Sequence, residues 1–173
     1  MAFVRARPPR VGDTRLVAVD GRSGSGKSSL ADSLVPLLGA SLIRMDDLYE
    51  GWSGLETSER RLHRWVVEPL ATGAPVRWRR FDWATGEYAE WHEQAPSGVL
   101  IVEGCGAARE SLDWAYSTIL WVEADESVRR RRLEQRGDWS TYRAHAQQWA
   151  YDEQALFARE RTRERANLIV DND

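Results

Sequence analysis

The sequence predicts an α/β fold, a central parallel sheet of about five strands with helices on both faces. Short and nearly continuous apolar runs alternate with helical patterns, as expected for parallel strands that are buried on both sides. No repeat or low-complexity linker divides the 173 residues, a length that suits one domain with a substantial core. We therefore expect a single domain over residues 15–173, preceded by a flexible arm, rich in Arg and Pro, over residues 1–14.

The first elements follow from their apolar spacing. RLVAVD (15–20) predicts a buried strand, and the leucines after it are spaced as on one face of a helix. Pro36 conflicts with a continuous helix, so we expect an end or a kink near Val35, with Gly39 closing the helix. SLIRM (41–45) predicts the second strand.

The rest of the chain continues the alternation. A helix is predicted over residues 56–70, and the alternating pattern of residues 76–91 predicts a hairpin that turns at Thr85-Gly86. The later elements are strands at 98–104, 117–124 and 167–172, a charged helix at 125–136, and a long helical stretch that reaches residue 165.

Composition and charge exclude several classes of protein. A net charge of −3 and a pI of about 5.7 provide no basic field for nucleic acid. No apolar run is long enough to span a membrane, and a single cysteine, Cys105, excludes an internal disulfide and a cysteine-based metal site. We expect a cytoplasmic protein without nucleic-acid or membrane partners. The sequence leaves open whether the protein forms a homodimer.

Residues 21–28, GRSGSGKS, match the phosphate-binding pattern G-x-x-x-x-G-K-[ST] between a predicted strand and a predicted helix. Glycines let successive backbone N–H groups point at an anion, and the helix N-terminus adds positive charge. Lys27 would reach the β- and γ-phosphates of ATP, and the Ser28 hydroxyl would ligate Mg²⁺. The alternative is a Gly/Ser-rich turn that only caps the helix. The expected nucleotide-binding residues are Gly21, Ser23, Gly24, Ser25, Gly26, Lys27, Ser28 and Ser29.

Lys27 is the only lysine, since the other 23 of the 24 basic residues are arginine. A compact ammonium fits inside such a loop, where a planar guanidinium is too wide. A GTPase would need a second lysine in an Asn-Lys-x-Asp motif, which this chain cannot have. Of the P-loop proteins, this leaves the small-molecule and nucleotide kinases, which are about as long as this chain and carry an arginine-rich lid.

Carboxylates follow two predicted strands at the sheet edge where ligands of open α/β folds bind. Asp46 or Asp47 could accept the proton of an acceptor hydroxyl, and either could instead cap the next turn. Glu103 ends a later strand, where it could hold a Mg²⁺-bound water or cap a loop.

Arg132 and Arg136 lie on one face of the predicted charged helix, within a lid expected at about residues 129–143. Their forked guanidinium groups would stabilise the transferred phosphate, and the alternative is a solvated face paired with neighbouring acids.

Candidates for an acceptor pocket lie in a segment that is rich in tryptophan. Five of the nine tryptophans fall within residues 52–91. An aromatic face stacks on a planar base, and a carboxylate can hold a sugar hydroxyl. We therefore expect Asp46 together with Tyr49, Phe81, Asp82 and Trp83 to bind the acceptor.

Several segments resemble the uridine kinase family of P-loop nucleoside and small-molecule kinases. VDGRSGSGKSSLA followed by RMDDLYEGW resembles the phosphate loop and the Asp-x-Phe-Tyr element of that family, and RRFDWATGEY resembles its Tyr-Asp-Phe segment. LIVEG, VRRRRLEQRG and RANLIVDN are similar to its Glu-Gly strand end, its lid helix and its terminal strand.

The resemblance implies a P-loop NTPase three-layer sandwich with an arginine-bearing lid, in which residues 15–173 form one kinase domain. It implies ATP- and Mg²⁺-dependent phosphoryl transfer to a hydroxyl of a nucleoside-like small molecule, with Asp46 rather than Asp47 as the base. The chain departs from the family in the tryptophan-rich segment between Tyr49 and Phe81, and where residues 84–86 lack a His. A kinase acting on a nucleotide, sugar or other metabolite, or a non-catalytic ATP-binding regulatory protein, therefore stays open.

Overall fold

The computed structural model describes residues 2–173, and its central sheet confirms the predicted fold class. The strands are β1 (Arg15–Asp20), β2 (Ser41–Arg44), β3 (Val76–Asp82), β4 (Glu87–Gln94), β5 (Val99–Glu103), β6 (Tyr116–Glu123) and β7 (Leu168–Asp171). Five of them form a parallel sheet in the order β2-β5-β1-β6-β7, and β3 and β4 form a separate antiparallel hairpin.

Helices connect the strands on both faces of the sheet. They are α1 (Ala2–Ala6), α2 (Lys27–Leu38), α3 (Met45–Leu48), α4 (Ser58–Arg61), α5 (Glu68–Ala71), α6 (Glu126–Glu134), α7 (Trp139–Tyr142), α8 (Ala146–Glu160) and α9 (Thr162–Arg165). A π-helical segment (Leu62–Val67) joins α4 to α5, and single 3₁₀ turns lie at Gly51–Ser53 and Glu110–Leu112.

The side chains of β1 show why the predicted strands are apolar throughout. Leu16 and Ala18 belong to one buried hydrophobic cluster, whereas Val17 and Val19 belong to a second cluster that includes residues of α2. Successive side chains of a strand point to opposite faces, so both faces of this sheet are covered. The carboxyl ends of the central strands consequently carry the loops that can meet a ligand.

Several helices differ from the sequence prediction in extent. The first does not end near Val35 but continues through Pro36 to Leu38, where Gly39 closes it in the left-handed conformation with a φ of 63°. Pro36 lies in the last turn, so only one backbone hydrogen bond near the helix end is lost. The helix predicted over residues 56–70 begins at Ser58 and contains the π-helical segment.

Two later helical predictions also differ. The charged helix predicted over residues 125–136 ends at Glu134, so Arg136 lies beyond α6 and not on its face. The long helical stretch that reaches residue 165 is divided into α7, α8 and α9, and Arg161 between α8 and α9 has a φ of 50°.

The N-terminal segment contacts the domain. Val4 of α1 is buried in the cluster beside α2, and Arg7 donates a hydrogen bond to the backbone oxygen of Ser117. The flexibility of residues 1–14 stays a prediction. Among the described residues, no helix is both long and apolar enough to cross a membrane.

Candidate active site

The loops that follow β1, β2, β5 and β6 enclose a cleft of about 1050 Å³. Most of the site residues expected from the sequence line this cleft, although they come from segments far apart in the chain. These are Ser23, Gly24, Gly26, Lys27, Ser28, Ser29, Asp46, Tyr49, Trp83, Glu103, Arg132 and Arg136.

The phosphate loop, residues 21–28, lies between β1 and α2, as its motif predicts. Gly24 has a φ of 80°, and a Cβ atom there would lie 2.5 Å from the backbone oxygen of Arg129 in α6. Glycine is therefore needed at this position both for its backbone conformation and for the close approach of α6. Arg129 also donates from Nη1 to the backbone oxygen of Ser23 at 3.2 Å.

Lys27 is the first residue of α2, and its side chain is largely buried against the loop. Its Nζ atom lies 3.4 Å from the backbone oxygen of Arg22. Burial lowers the pKa of Lys27, but Cys105, Glu103, Glu153 and Asp46 together outweigh it and raise the pKa. The ammonium is therefore charged at neutral pH, as the binding of phosphate requires.

A pair of oxygen ligands lies beside Lys27. Ser28 donates from Oγ to Oε1 of Glu103 at 3.0 Å, and Oε2 of Glu103 accepts from Arg44 at 3.0 Å. Hydroxyl and carboxylate oxygens are the hard donors that Mg²⁺ prefers, with water completing its shell. The donor set at Ser28 and Glu103 therefore fits Mg²⁺.

Two aspartates that are adjacent in the sequence have different partners. Oδ2 of Asp47 accepts a hydrogen bond from Trp78 Nε1 at 3.0 Å, which ties it to β3. Asp46 lines the cleft instead. Partial desolvation in the cleft raises the pKa of Asp46, Glu103 raises it further, and Lys27 and Arg136 lower it, with a net increase. Of the two carboxylates, Asp46 is the one that can meet an acceptor.

The cleft is lined by two arginines of the expected lid, and these two side chains differ in their contacts. Arg132 Nη1 is buried and has no hydrogen-bond partner among the described residues. A buried donor without a partner is costly, so this atom fits an anionic ligand such as phosphate. Arg136 binds Asp138 through two hydrogen bonds of 2.9 and 2.6 Å, and its guanidinium lies over the ring of Tyr142.

An aromatic wall forms the other end of the cleft. It consists of Tyr49, Trp52, Trp83, Tyr142 and Trp149. Trp52 is its centre, because its ring contacts Trp83, Tyr142 and Trp149 edge to face, with centroids 4.8, 5.6 and 6.0 Å apart. Tyr49 is held by a hydrogen bond of 2.8 Å from its hydroxyl to the backbone oxygen of Cys105. The wall can bind an apolar or aromatic acceptor next to Asp46.

Four residues expected in the site do not line the cleft: Gly21, Ser25, Phe81 and Asp82. Gly21 and Ser25 are buried within the phosphate loop. Phe81 is buried behind Trp83, with ring centroids 5.4 Å apart. Asp82 accepts from the backbone N–H groups of Ala84 and Thr85, so its carboxylate caps the hairpin turn.

Sequence reasoning missed cleft residues from the second half of the chain. Tyr142, Trp149 and Asn172 line the cleft, and Asn172 donates from Nδ2 to the backbone oxygen of Ser25 at 2.8 Å. Trp52 also lines the cleft, whereas the sequence places it only in the tryptophan-rich segment and not among the expected site residues. One usable signal was the spacing of Trp149 and Glu153, which puts both on the same helix face.

Comparison with protein families agrees with this architecture. A family model described as an AAA domain matches residues 17–149, which is most of the chain. None of the curated proteins compared with the sequence matches it.

Three solved structures share the fold. A candidate uridine kinase from Bacillus stearothermophilus is 16% identical, with 98% of this chain and 94% of that chain covered and a TM-score of 0.70. A candidate fructose transport system kinase from Silicibacter sp. TM1040 is 22% identical, with coverages of 97% and 93% and a TM-score of 0.64. A shikimate kinase from Bacteroides thetaiotaomicron is 19% identical, with coverages of 91% and 86% and a TM-score of 0.51. At the level of the fold, this confirms the resemblance to P-loop kinases.

Proposed function

The chain belongs to the AAA domain family, and from this premise we propose that it is an ATP- and Mg²⁺-dependent kinase. The γ-phosphate is transferred to a hydroxyl group of a nucleoside-like small molecule. One observation carries the proposal: a phosphate loop, an oxygen pair suited to Mg²⁺ and an unpaired aspartate line the same cleft as an aromatic wall. A passive nucleotide binder needs the first two of these but has no use for the others.

At the donor end of the cleft, the phosphate loop binds the triphosphate through its backbone N–H groups and Lys27. Ser28 and Glu103 would hold Mg²⁺, which supplies charge neutralisation on the phosphate oxygens when bound. Arg132 adds a donor that has no protein partner in the described residues, and its charge suits the equatorial oxygens of the transferred group.

At the acceptor end, Asp46 orients the hydroxyl group and accepts its proton. The acceptor oxygen forms a bond to the γ-phosphorus as the bond from phosphorus to the bridging oxygen of ADP breaks. The proton moves to a carboxylate Oδ of Asp46, whose raised pKa makes it a better proton acceptor than an aspartate with the usual pKa.

The aromatic wall supports an acceptor with a planar or apolar face. Three tryptophans and two tyrosines supply stacking and edge contacts there. Arg136 lies over the ring of Tyr142 in this wall, and Asp138 already neutralises its charge. This charge balance favours an uncharged acceptor, such as a nucleoside, over the nucleotide that a related kinase would phosphorylate.

The test is the release of ADP from Mg·ATP against a panel of nucleosides, nucleotides and sugars. We expect turnover with an acceptor that carries an aromatic base and no phosphate. Turnover only with a nucleotide or a sugar would contradict the proposed acceptor, but it would leave the proposed phosphoryl transfer in place. Tight ATP binding without turnover on any acceptor would favour a regulatory nucleotide-binding protein and overturn the proposal.

A further inference from the structure

A buried carboxylate lies between the phosphate loop and the aromatic wall. Glu153 of α8 is 2% exposed. Its Oε1 accepts hydrogen bonds from the backbone N–H of Ser23 at 3.0 Å and from Ser23 Oγ at 2.5 Å. The same oxygen accepts from Trp149 Nε1 at 2.8 Å and from Cys105 Sγ at 2.9 Å. A single atom therefore joins the phosphate loop, the end of β5 and α8.

The hydrogen bonds to Glu153 are individually strong. Burying a carboxylate is costly unless donors surround it, and hydrogen bonds to an ionised acceptor are about twice as strong as neutral ones. Ser23 supplies two of the donors, although 130 positions separate it from Glu153 in the sequence. The start of the phosphate loop is consequently fixed by a helix of the second half of the chain.

Trp149 extends the connection to the aromatic wall. Its indole N–H lies within hydrogen-bond distance of both Glu153 Oε1 and Ser23 Oγ, at 2.8 and 3.1 Å. Its ring meets Tyr49 and Trp52 edge to face, with centroids 5.1 and 6.0 Å apart. A ligand that moves Trp149 therefore changes the donors around Glu153, and through them the position of Ser23.

We propose that Glu153 is a positioning residue that holds Ser23 and the phosphate loop in the nucleotide-binding geometry and couples this loop to the aromatic wall through Trp149. The role in nucleotide binding rests on the proposed function, whereas the role in holding the loop does not. Coupling of this kind is reciprocal: an acceptor on the wall changes the affinity for nucleotide, and nucleotide changes the affinity for the acceptor by the same factor.

The first test is hydrogen exchange of the free protein, followed at the phosphate-loop amides. Glu153→Gln keeps the size of the side chain and removes its charge, and we expect exchange there to become about tenfold faster. Glu160→Gln is the matched control, since Glu160 is a buried glutamate of the same helix that accepts from the Glu110 backbone N–H outside the cleft. It should leave exchange at the loop unchanged.

Trp149→Phe tests the link to the aromatic wall and serves if Glu153→Gln does not fold. It keeps a ring and removes the indole N–H, so exchange at the loop should rise about threefold, less than for Glu153→Gln. Trp139→Phe makes the same change in a partly buried tryptophan that stacks on Tyr142, and it should have no effect at the loop.

The second test is calorimetric titration with Mg·AMP-PNP. We expect about tenfold weaker binding to Glu153→Gln and less than a twofold change for Glu160→Gln. Unchanged exchange in Glu153→Gln, or in Trp149→Phe, would overturn the corresponding half of the proposal whatever reaction the protein performs. Faster exchange with unchanged affinity would overturn the positioning role in nucleotide binding. If the wild type does not bind Mg·AMP-PNP, the proposed function fails, and exchange still decides whether Glu153 holds the loop.

Discussion

The two ends of the cleft are built in different ways. At the donor end, consecutive residues of one loop and the first turn of α2 provide the ligands, with backbone conformation as the main determinant. At the acceptor end, the aromatic wall gathers side chains from the residue after α3, a 3₁₀ turn, the hairpin turn, α7 and α8. The donor end depends on the local chain, whereas the acceptor end depends on how distant segments pack.

This difference explains how each end can change. A backbone-built phosphate site tolerates few substitutions, because glycine conformation and helix position are fixed together. A wall of side chains can be altered one residue at a time while the fold persists. Substitutions at the donor end should therefore abolish transfer with any acceptor, and those at the acceptor end should change which acceptor is used.

The largest effect is expected from Lys27, which tests the donor end. Lys27→Met should lower kcat by about 1000-fold, because the positive charge that stabilises the transferred phosphate is lost. Lys27→Arg should fail to a similar degree, since a planar guanidinium does not fit the position of the ammonium. ADP release with saturating Mg·ATP measures both. Substantial activity of Lys27→Arg would show that charge alone suffices and that the loop is less restrictive than its geometry indicates.

The next effect distinguishes two adjacent carboxylates where the two ends meet. Asp46→Asn should lower kcat by about 100-fold or more, because the base that accepts the hydroxyl proton is lost. Asp47→Asn is the matched control, since Asp47 is bonded to Trp78 and should change kcat by less than about fivefold. Comparable losses in both variants would contradict the assignment of Asp46 as the base.

The pH dependence of the same pair gives a second measurement. The pKa of Asp46 is raised by partial desolvation in the cleft and by Glu103, and a base must be ionised to act. Wild-type kcat/KM should therefore fall as the pH decreases through this raised pKa, above the usual range of an aspartate. Asp46→Asn should lose that acidic limb, whereas Asp47→Asn should keep it. An acidic limb that persists in Asp46→Asn would identify a different base.

The donor end could be predicted from the sequence more completely than the acceptor end, because only the donor end is built from consecutive residues. Consecutive residues and their spacing predicted the phosphate loop and the parallel sheet, because both follow from local backbone preferences and burial on two faces. The aromatic wall was predicted only through Tyr49 and Trp83. Tyr142 lies on α7 and Trp149 on α8, far from Trp52 in the sequence, and only the folded chain brings them to Trp52. The spacing of residues in the sequence likewise did not predict that the Asp82 carboxylate caps the hairpin turn.

A smaller effect is expected from the aromatic wall. Trp52→Ala should raise the KM for the acceptor about tenfold and leave the KM for ATP within twofold, since stacking on one aromatic ring contributes about 1–3 kcal/mol. Trp91→Ala is the control, because Trp91 is a tryptophan of the hairpin that is 53% exposed and lies outside the cleft. Steady-state kinetics with each substrate varied measures both constants. An equal rise in both KM values would mean that the two ends are not separable.

The smallest effect on catalysis is expected at Asp82, which the sequence predicted to bind the acceptor and the structure places at the hairpin turn. Asp82→Ala should keep the KM for the acceptor within about twofold and lower Tm by a few degrees, because two backbone N–H groups lose their acceptor. Hydrogen bonds from Ala84 and Thr85 hold the pKa of Asp82 below its usual value.

A carboxylate with a lowered pKa stabilises the fold above the pKa of the unfolded chain, and this contribution is lost as the pH falls through the lower pKa of the folded state. The difference in Tm between Asp82→Ala and wild type should therefore be constant at neutral pH and shrink only in strong acid. Glu87→Ala removes an exposed carboxylate across the same turn and is the control, which should lower Tm by less than Asp82→Ala does. Thermal unfolding followed by circular dichroism measures it. A tenfold higher KM for the acceptor without a change in Tm would mean that Asp82 contacts the acceptor, and that the acceptor end reaches further along the hairpin than the aromatic wall.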